Sequence, residues 1–427
     1  MSNGAREEPS ELVEHHFRRE YARLVAVLTR AFGLQHLQTI EDAVQSALLQ
    51  ALESWSRRGV PQDPGAWVYR VAHNAVVDQF RRTAVRERSS ATVEEQPPEY
   101  GVPAPPRFVD EIADDQLRML FVCCDEAIPA ESQLVLALKV LCGFSAAEIA
   151  LRLFTSEANV HKRLARARQR LREVGLHTDT PPQGTLKERL PAVQQVIYLI
   201  FNEGYASAQA DTPIRRELCE EAIRLGKLLV AHPAGDVPGT RALLALMHLH
   251  AARLDARLDA TGGLILLADQ DRGKWNQKLI RQGLDWLERS ASGDSFSRYH
   301  AEAGIAAEHC LAATFEETRW TEIAGLYQIL EHLAPSPLHT LNRAIALAQV
   351  EGPARALAIL TDLRPPAWLF EYYLWDAALG ELWRQAGEPE KARTHLHRAL
   401  QTAPTQAERQ LIKHRLDNLE GSSTISE

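Results

Sequence analysis

Residues 145–172 carry the pattern that most restricts how this chain can fold: a helix start, a stop, and a second helix start in close succession. Ser145-Ala146-Ala147-Glu148 has the form of a capping box, with Phe144 and Ile149 placed as the hydrophobic staple around it. The spacing predicts a short helix over 146–153 that ends near Phe154-Thr155-Ser156. Ser156 is then placed to cap a longer helix over 157–172. On that helix Val160, Leu164, Ala167 and Leu171 recur with helical period and make one buried stripe. Asn159, Lys162, Arg163, Arg166 and Arg170 line another face, so amide and guanidinium donors point away from the core. A capped helix, a tight turn and a second helix with a donor-rich face are what reading the DNA major groove requires.

Helical periodicity continues along the whole chain, with no series of alternating strands, so the expected fold class is all-α. At 427 residues the chain is long for one domain. A first helical block occupies 11–88. Residues 89–113 are rich in Pro, Ser and Glu with few large apolar groups, which makes a flexible linker. A second helical block over 114–176 contains the two-helix pattern. A break at Thr178-Asp179-Thr180-Pro181-Pro182-Gln183-Gly184 precedes a helical extension over 185–295 and a repeat region over 296–420. In that region Leu311/Ile345/Leu379, Ala312/Ala346/Gly380 and Ala324/Ala358/Ala392 each recur at 34 residues. This is the tetratricopeptide (TPR) period, in which small residues let the helices of a hairpin approach closely.

The net charge of −8 divides into −2 for residues 1–176 and −6 for the remainder, so neither part is a polycation. DNA contact would have to come from local stripes and would be salt-sensitive. The five cysteines (Cys123, Cys124, Cys142, Cys219, Cys310) form no metal-ligand spacing, and their odd number fits buried thiols in a reducing compartment. No charged leader with an apolar core opens the chain and no apolar run reaches spanning length, so a cytoplasmic protein with no membrane partner is expected.

With these blocks placed, the first 176 residues resemble an extracytoplasmic-function (ECF) sigma factor of bacterial RNA polymerase. The segment over 41–52 (EDAVQSALLQAL) is similar to the family's polymerase-clamp helix, and that over 64–82 (PGAWVYRVAHNAVVDQFRR) to its −10 element reader. The two-helix pattern takes the place of the −35 element reader. The motifs over 197–205 (IYLIFNEGY) and 267–272 (LADQDR) resemble the signature of an ECF subgroup with a long TPR-like extension. In one respect the chain departs from the family: Asp125, Glu126 and Glu131 dilute a second block that is usually strongly basic.

The resemblance implies two small helical sigma domains, the second with a helix-turn-helix, followed by a TPR-like repeat domain. It also implies two partners, core RNA polymerase and promoter DNA, with a regulatory protein docking on the extension. In the clamp helix, Val44, Leu48, Leu52 and Trp55 are expected to face the core, and Asp42, Gln45 and Gln50 the polymerase. In the −10 segment Asn74, Asp78, Arg81 and Arg82 are expected to face DNA, with the turn over 59–63 near the flipped base, while Trp67, Val71 and Ala75 pack inward. In the −35 reader Glu157, Asn159, Lys162 and Arg163 are candidates for base edges, and Arg166 and Arg170 for phosphates.

Several features of the extension are weaker than they look. Asp269-x-Asp271 lacks the other ligands of a calcium loop, and His248-x-His250 puts its imidazoles on different helix faces. Gly204, after an apolar helix opened by Pro191, reads as a C-terminal cap residue. Trp275, Trp286, Trp320, Trp368, Trp375 and Trp383 could line a docking groove or simply fill between helices. No nucleotide-binding, metalloprotease or hydrolase motif occurs, so neither an enzyme nor a cofactor is expected. Two other readings stay open at this point: a one-component helix-turn-helix activator with a TPR sensor domain, and a scaffold whose helix pair is merely a hairpin.

Overall fold

The structure, a computed structural model, describes residues 9–88, 114–153, 155–174, 183–207, 213–260, 262–293, 295–363 and 366–423. The proposed linker over 89–113, Phe154, and residues 178–182 of the proposed break lie outside the described residues. Among the described residues the regular elements are helices, and extended pairing is confined to an isolated bridge between Leu258 and Leu264. The chain divides into two units, residues 1–196 and 197–427.

In the first unit, α1 (Pro9–Phe32), α2 (Leu37–Arg58) and α3 (Pro64–Arg88) come first. They are followed by α4 (Asp115–Cys123), α5 (Ala130–Cys142), α6 (Ala146–Arg152) and α7 (Glu157–Val174). Helix α2 buries Ile40, Val44, Ala47, Leu48, Ala51 and Trp55 on one stripe, and α3 packs on it through Val68, Ala72 and Val76. Each fully buried Val, Leu or Ile among them contributes about 1.5–3 kcal/mol. Two sequence expectations need correction here. Leu52 is 41% exposed rather than in the core, and the buried face of α3 runs one residue later than the Trp67–Val71–Ala75 line, whose members are only half-buried. The reason is the partner: Trp67 lies edge-on to Trp55 at 5.7 Å, at the rim of the α2–α3 contact, so the next residue on the turn points inward.

The ends of the short helices are set locally. Gly143 closes α5 in the left-handed conformation (φ 63°), and Phe144 N–H donates back to the Leu138 carbonyl (3.4 Å). Ser145 and Glu148 then form the reciprocal capping box at α6, with distances of 3.1 and 2.7 Å. Phe144 and Ile149 are fully buried beside it. Two of the acids that dilute the basic block are committed to ion pairs. Buried Asp125 pairs with Arg189, and Glu131 with Arg163 at 2.6 Å.

Helix α8 (Gln183–Tyr205) begins inside the expected break, and Pro191 lies within it rather than at its start. The second unit continues with α9 (Arg216–Ala231), α10 (Pro238–Ala251), α11 (Gln277–Ser290), α12 (Arg298–Leu311) and α13 (Trp320–Leu333). It ends with α14 (Pro337–Glu351), α15 (Pro353–Asp362), α16 (Tyr373–Gln385), α17 (Pro389–Thr402) and α18 (Gln406–Ser423). Helix α12 packs on α10 as well as on α13, and from α13 onward each helix packs chiefly on its neighbours in sequence, as in a stacked hairpin array. Close approach uses small residues: a Cβ on Gly304 would stand 3.1 Å from Leu326, and one on Gly380 2.8 Å from Leu396. The 34-residue register is not uniform, however. Leu311 is 56% exposed, Ala312 lies just past the end of α12, and Ala358 is exposed. None of the six tryptophans of the extension is an exposed surface residue, and Trp275 and Trp375 are buried outright.

Candidate nucleic-acid and polymerase interface

Helix α7 buries Val160, Leu164, Ala167 and Leu171, which turns its opposite side outward. Glu157, Lys162, Arg166 and Arg170 are exposed there, with Arg170 within 3.0 Å of Glu173. Asn159 is half-buried and spends its amide on the Thr155 hydroxyl (2.8 Å), while its backbone N–H is capped by Ser156 (3.3 Å). Arg163 differs from expectation: its side chain is 17% exposed and held by Glu131. Of the candidate cations, Lys162, Arg166 and Arg170 therefore face outward, and Arg163 is released only if Glu131 lets go.

On α3, Arg70, Asn74, Asp78, Gln79, Arg81 and Arg82 are all exposed, opposite the Val68–Ala72–Val76 stripe. Arg81 and Asp78 stand 3.7 Å apart on side chains more than half exposed, a contact of little energetic weight. Aromatic rings behind this face are packed on one another, with Phe32–His73 at 5.1 Å and His36–Phe80 at 4.4 Å. The preceding turn is shaped by Asp63, whose carboxylate accepts from Ala66 N–H at 2.9 Å, and it leaves Val60 63% exposed. On α2, Asp42, Gln45 and Gln50 are exposed as expected. Leu49 (62%) and Leu52 (41%) join them, two surface leucines on the same side as the polar candidates. Leu52 was expected in the core, whereas Leu49 falls off the apolar stripe by helical period, so its exposure follows from spacing.

One omission concerns charge. Arg168 stands four residues after Leu164, on the apolar stripe of α7, and Glu41 stands four after Leu37, on that of α2. Arg168 Nη2 donates to Glu41 Oε2 at 2.6 Å, and the Tyr21 hydroxyl donates to Glu41 Oε1 at 3.3 Å. Burial pushes the Glu41 carboxyl above the ordinary range, opposed by the Arg168 guanidinium. Burial likewise raises the Tyr21 phenol.

In the second unit the two extension motifs are bound into the fold. Glu203, fully buried, faces Arg215 at 3.5 Å and accepts from Ser207 at 2.9 Å. Gly204 lies in the last turn of α8 and is helical, not a left-handed cap. A Cβ there would meet Cys219 N at 2.6 Å and the Arg215 carbonyl at 2.7 Å. Arg257 lies 3.8 Å from the Tyr205 ring and donates to the Tyr205 carbonyl at the end of α8. In the other motif, Asp271 accepts from Gly273 N–H (2.9 Å), and Arg272 donates to the His309 and Ala312 carbonyls at the end of α12 (2.5 and 2.7 Å). Both arginines thus satisfy helix C-terminal carbonyls, where a cation is favoured. Among the described residues no group of three or more His, Cys, Asp or Glu side chains could hold a metal ion, and no helix is long and apolar enough to cross a membrane.

Comparison with known proteins joins these observations. Residues 17–86 match Sigma-70 region 2, and residues 118–171 match Sigma-70 region 4. Residues 189–291, which hold both extension motifs, match a family of unknown function, DUF6596. These are the parts of a non-enzymatic transcription initiation factor, and the chain belongs to the ECF family of RNA polymerase sigma factors. ECF RNA polymerase sigma factor SigL of Mycobacterium tuberculosis is 31% identical over 133 residues, covering 31% of this chain and 72% of that protein. An uncharacterized protein of Rhizobium meliloti is 37% identical over 423 residues, covering 95% of this chain and 97% of that protein. No solved structure matches.

Proposed function

We propose that residues 11–88 form the domain that binds core RNA polymerase and holds −10 DNA, and that residues 114–176 form a helix-turn-helix domain that reads the −35 element. The polymerase meets α2 through Asp42, Gln45 and Gln50, with Leu49 and Leu52 supplying apolar contact. Unpaired −10 DNA runs along Asn74, Asp78, Arg81 and Arg82. The N-terminal end of α7 enters the major groove, where Glu157 and Lys162 reach base edges directly, Asn159 and Arg163 reach them once released from Thr155 and Glu131, and Arg166 and Arg170 meet phosphates. The extension, a helical part over 185–295 and TPR-like hairpins over 296–420, is the regulatory part and docks a protein partner. The chain works in the cytoplasm, where polymerase and promoter are, and needs no cofactor of its own.

The observation that carries this reading is the set of outward polar faces on α2, α3 and α7, each backed by a buried stripe of its own helix. A one-component activator would leave the faces of α2 and α3 without a task. Run-off transcription with purified core polymerase and a pool of bacterial promoter fragments tests the choice. The full chain should direct initiation at specific start sites. Arg166→Glu with Arg170→Glu should reduce it at least about 10-fold and flatten its salt dependence. Absence of initiation, with duplex DNA still protected in the absence of polymerase, would hand the argument to the activator.

A further inference from the structure

We propose that Arg253, Gln270, Arg272 and Trp275 form a binding site in the extension for a small-molecule oxyanion, a phosphate or carboxylate group that enters where the Gln270 amide now stands. All four residues belong to the second unit, so the inference does not depend on promoter recognition.

Arg253 follows α10 and Trp275 precedes α11, and a bond from the Asn276 N–H to the Ala252 carbonyl (2.8 Å) ties the ends of this segment together. The Trp275 ring, 3% exposed, then carries two cations. The guanidinium carbon of Arg253 lies 5.2 Å from its centre and that of Arg272 4.7 Å. A ring face attracts a cation but supplies no counter-charge. Burial and the Arg253 cation push the Arg272 guanidinium down, against weaker pulls that include Glu316 and Glu317. The two arginines therefore repel each other beside the tryptophan.

Arg253 is the residue left unbalanced. It is 7% exposed, and its Nε is buried without an acceptor. Among the described residues no carboxylate stands within ion-pair distance of it. Its side chain has a single long polar contact there, from Nη2 to the neutral Gln270 Oε1 at 3.5 Å. The other arginines buried to this degree, Arg118 and Arg215, each have an acid: Asp115 at 3.2 Å and Glu203 at 3.5 Å. Carboxylates on nearby elements are committed elsewhere. Glu302 pairs with Arg298 at 2.8 Å, Glu308 with Arg319 at 2.7 Å, and Asp255 with Arg216 at 2.6 Å. A guanidinium withdrawn from water without an anion is costly, so an anion that reaches Arg253 removes a penalty as well as adding a bond.

The surrounding donors suit an oxyanion. Trp275 Nε1 can only donate, and it is buried with no acceptor. His309, whose carbonyl accepts from Arg272 at 2.5 Å, also leaves its buried Nδ1 unpartnered, and one tautomer presents a proton there. Several such groups gathered around one cation point to an anion as their acceptor. A charged oxygen bonds a guanidinium at about 2.7–2.9 Å and roughly twice as strongly as a neutral one. It therefore displaces the Gln270 amide, whose contact is at the limit of hydrogen bonding. Arg272 stays anchored on the His309 and Ala312 carbonyls and contributes charge from a fixed position. Because Arg253 is nearly covered, a single phosphate or carboxylate group reaches it, whereas a nucleic-acid backbone or a protein surface does not.

Isothermal titration of the full chain with inorganic phosphate, and separately with acetate, against chloride of matched ionic strength tests the site. At least one of the two anions should bind, and the tighter one identifies the group. At ten times its dissociation constant that anion should raise the thermal midpoint of the extension by about 3–6 °C. Arg253→Gln should abolish both binding and the shift. Phosphate also stabilises folded proteins without any site, by exclusion from their surface, so a shift that Arg253→Gln retains counts against the proposal. Gln270→Glu sets a carboxylate of the chain's own against Arg253 and should abolish binding as well, which keeps the test decisive if Arg253→Gln fails to fold. Arg281→Gln, at an exposed arginine of α11, should leave binding unchanged. Lack of binding by both anions, or binding that survives Arg253→Gln or Gln270→Glu, would overturn the proposal.

Discussion

Gly204 is the residue where a single added methyl group meets the most resistance. The nearest atoms to its missing Cβ belong to the backbone of Arg215 and Cys219, and neither can turn aside as a side chain can. The Arg215 N–H also donates to the Gly204 carbonyl at 2.8 Å, so the start of α9 is bonded to the end of α8 at the point of approach. Gly204→Ala should therefore destabilise the extension by about 1–3 kcal/mol, the usual cost of overpacking. Gly325, which has no atom near its missing Cβ, is the matched control: Gly325→Ala should stabilise by up to about 1 kcal/mol through helix propensity. Urea unfolding of the two variants decides. Equal midpoints would mean that the helices separate easily and that the glycine is not there for packing.

At the scale of elements, the turn between α5 and α7 shows how far local sequence can carry a prediction. Ser145→Ala removes the side-chain acceptor for Glu148 N–H and leaves the Glu148 carboxylate, itself nearly buried, with half of its reciprocal arrangement. The expected loss is about 1 kcal/mol, and Ser145→Asp should recover most of it. Fraying at α6 should show as faster amide exchange over 146–152, and unchanged exchange there would reject the cap as the organising feature. This cap, its staple and the α7 stripe were legible because all their partners lie within a few residues. The outward candidates on α2, α3 and α7 were legible for the same reason, by period alone. Arg163, Arg168 and Glu41 were not, because what fixes them is a charge on a different helix. Yet Arg168 and Glu41 each interrupt an apolar stripe, and complementary charges in such places are a readable hint of a buried pair. The repeat misled for another reason. The first helices of successive hairpins start at residues 298, 337 and 373, so the connections vary in length and no single period keeps Leu311, Ala312 and Ala358 in register.

Across the whole molecule the two units should respond differently to acid. In the extension, burial pulls His248 down to about 4 and His250 and His309 down to about 3, and the last two are pushed further by the Arg253 cation. Their ordinary value is near 6.5, so between about pH 6.5 and 4 the unfolded chain binds protons that the folded extension excludes. Stability contributed by these groups is present above pH 6.5 and is lost as the pH falls, by about 2 kcal/mol for each histidine at pH 5. Glu41 in the first unit runs the other way. Its carboxyl is raised by burial, so the folded form takes up a proton more readily than the unfolded chain, and acid costs it nothing in this range. Lowering the pH from 7 to 5 should therefore unfold the extension first while the sigma domains persist. Amide exchange monitored separately over the two units reads this directly. His309→Gln should reduce the pH dependence of the extension even though it gives up the ring packed edge-on against Trp320 at 5.3 Å. If the units instead lose protection together, with the same slope in pH, the neutral histidines are not what holds the extension together near neutral pH. The source of any acid sensitivity would then lie in the carboxylate ion pairs that each unit contains within itself.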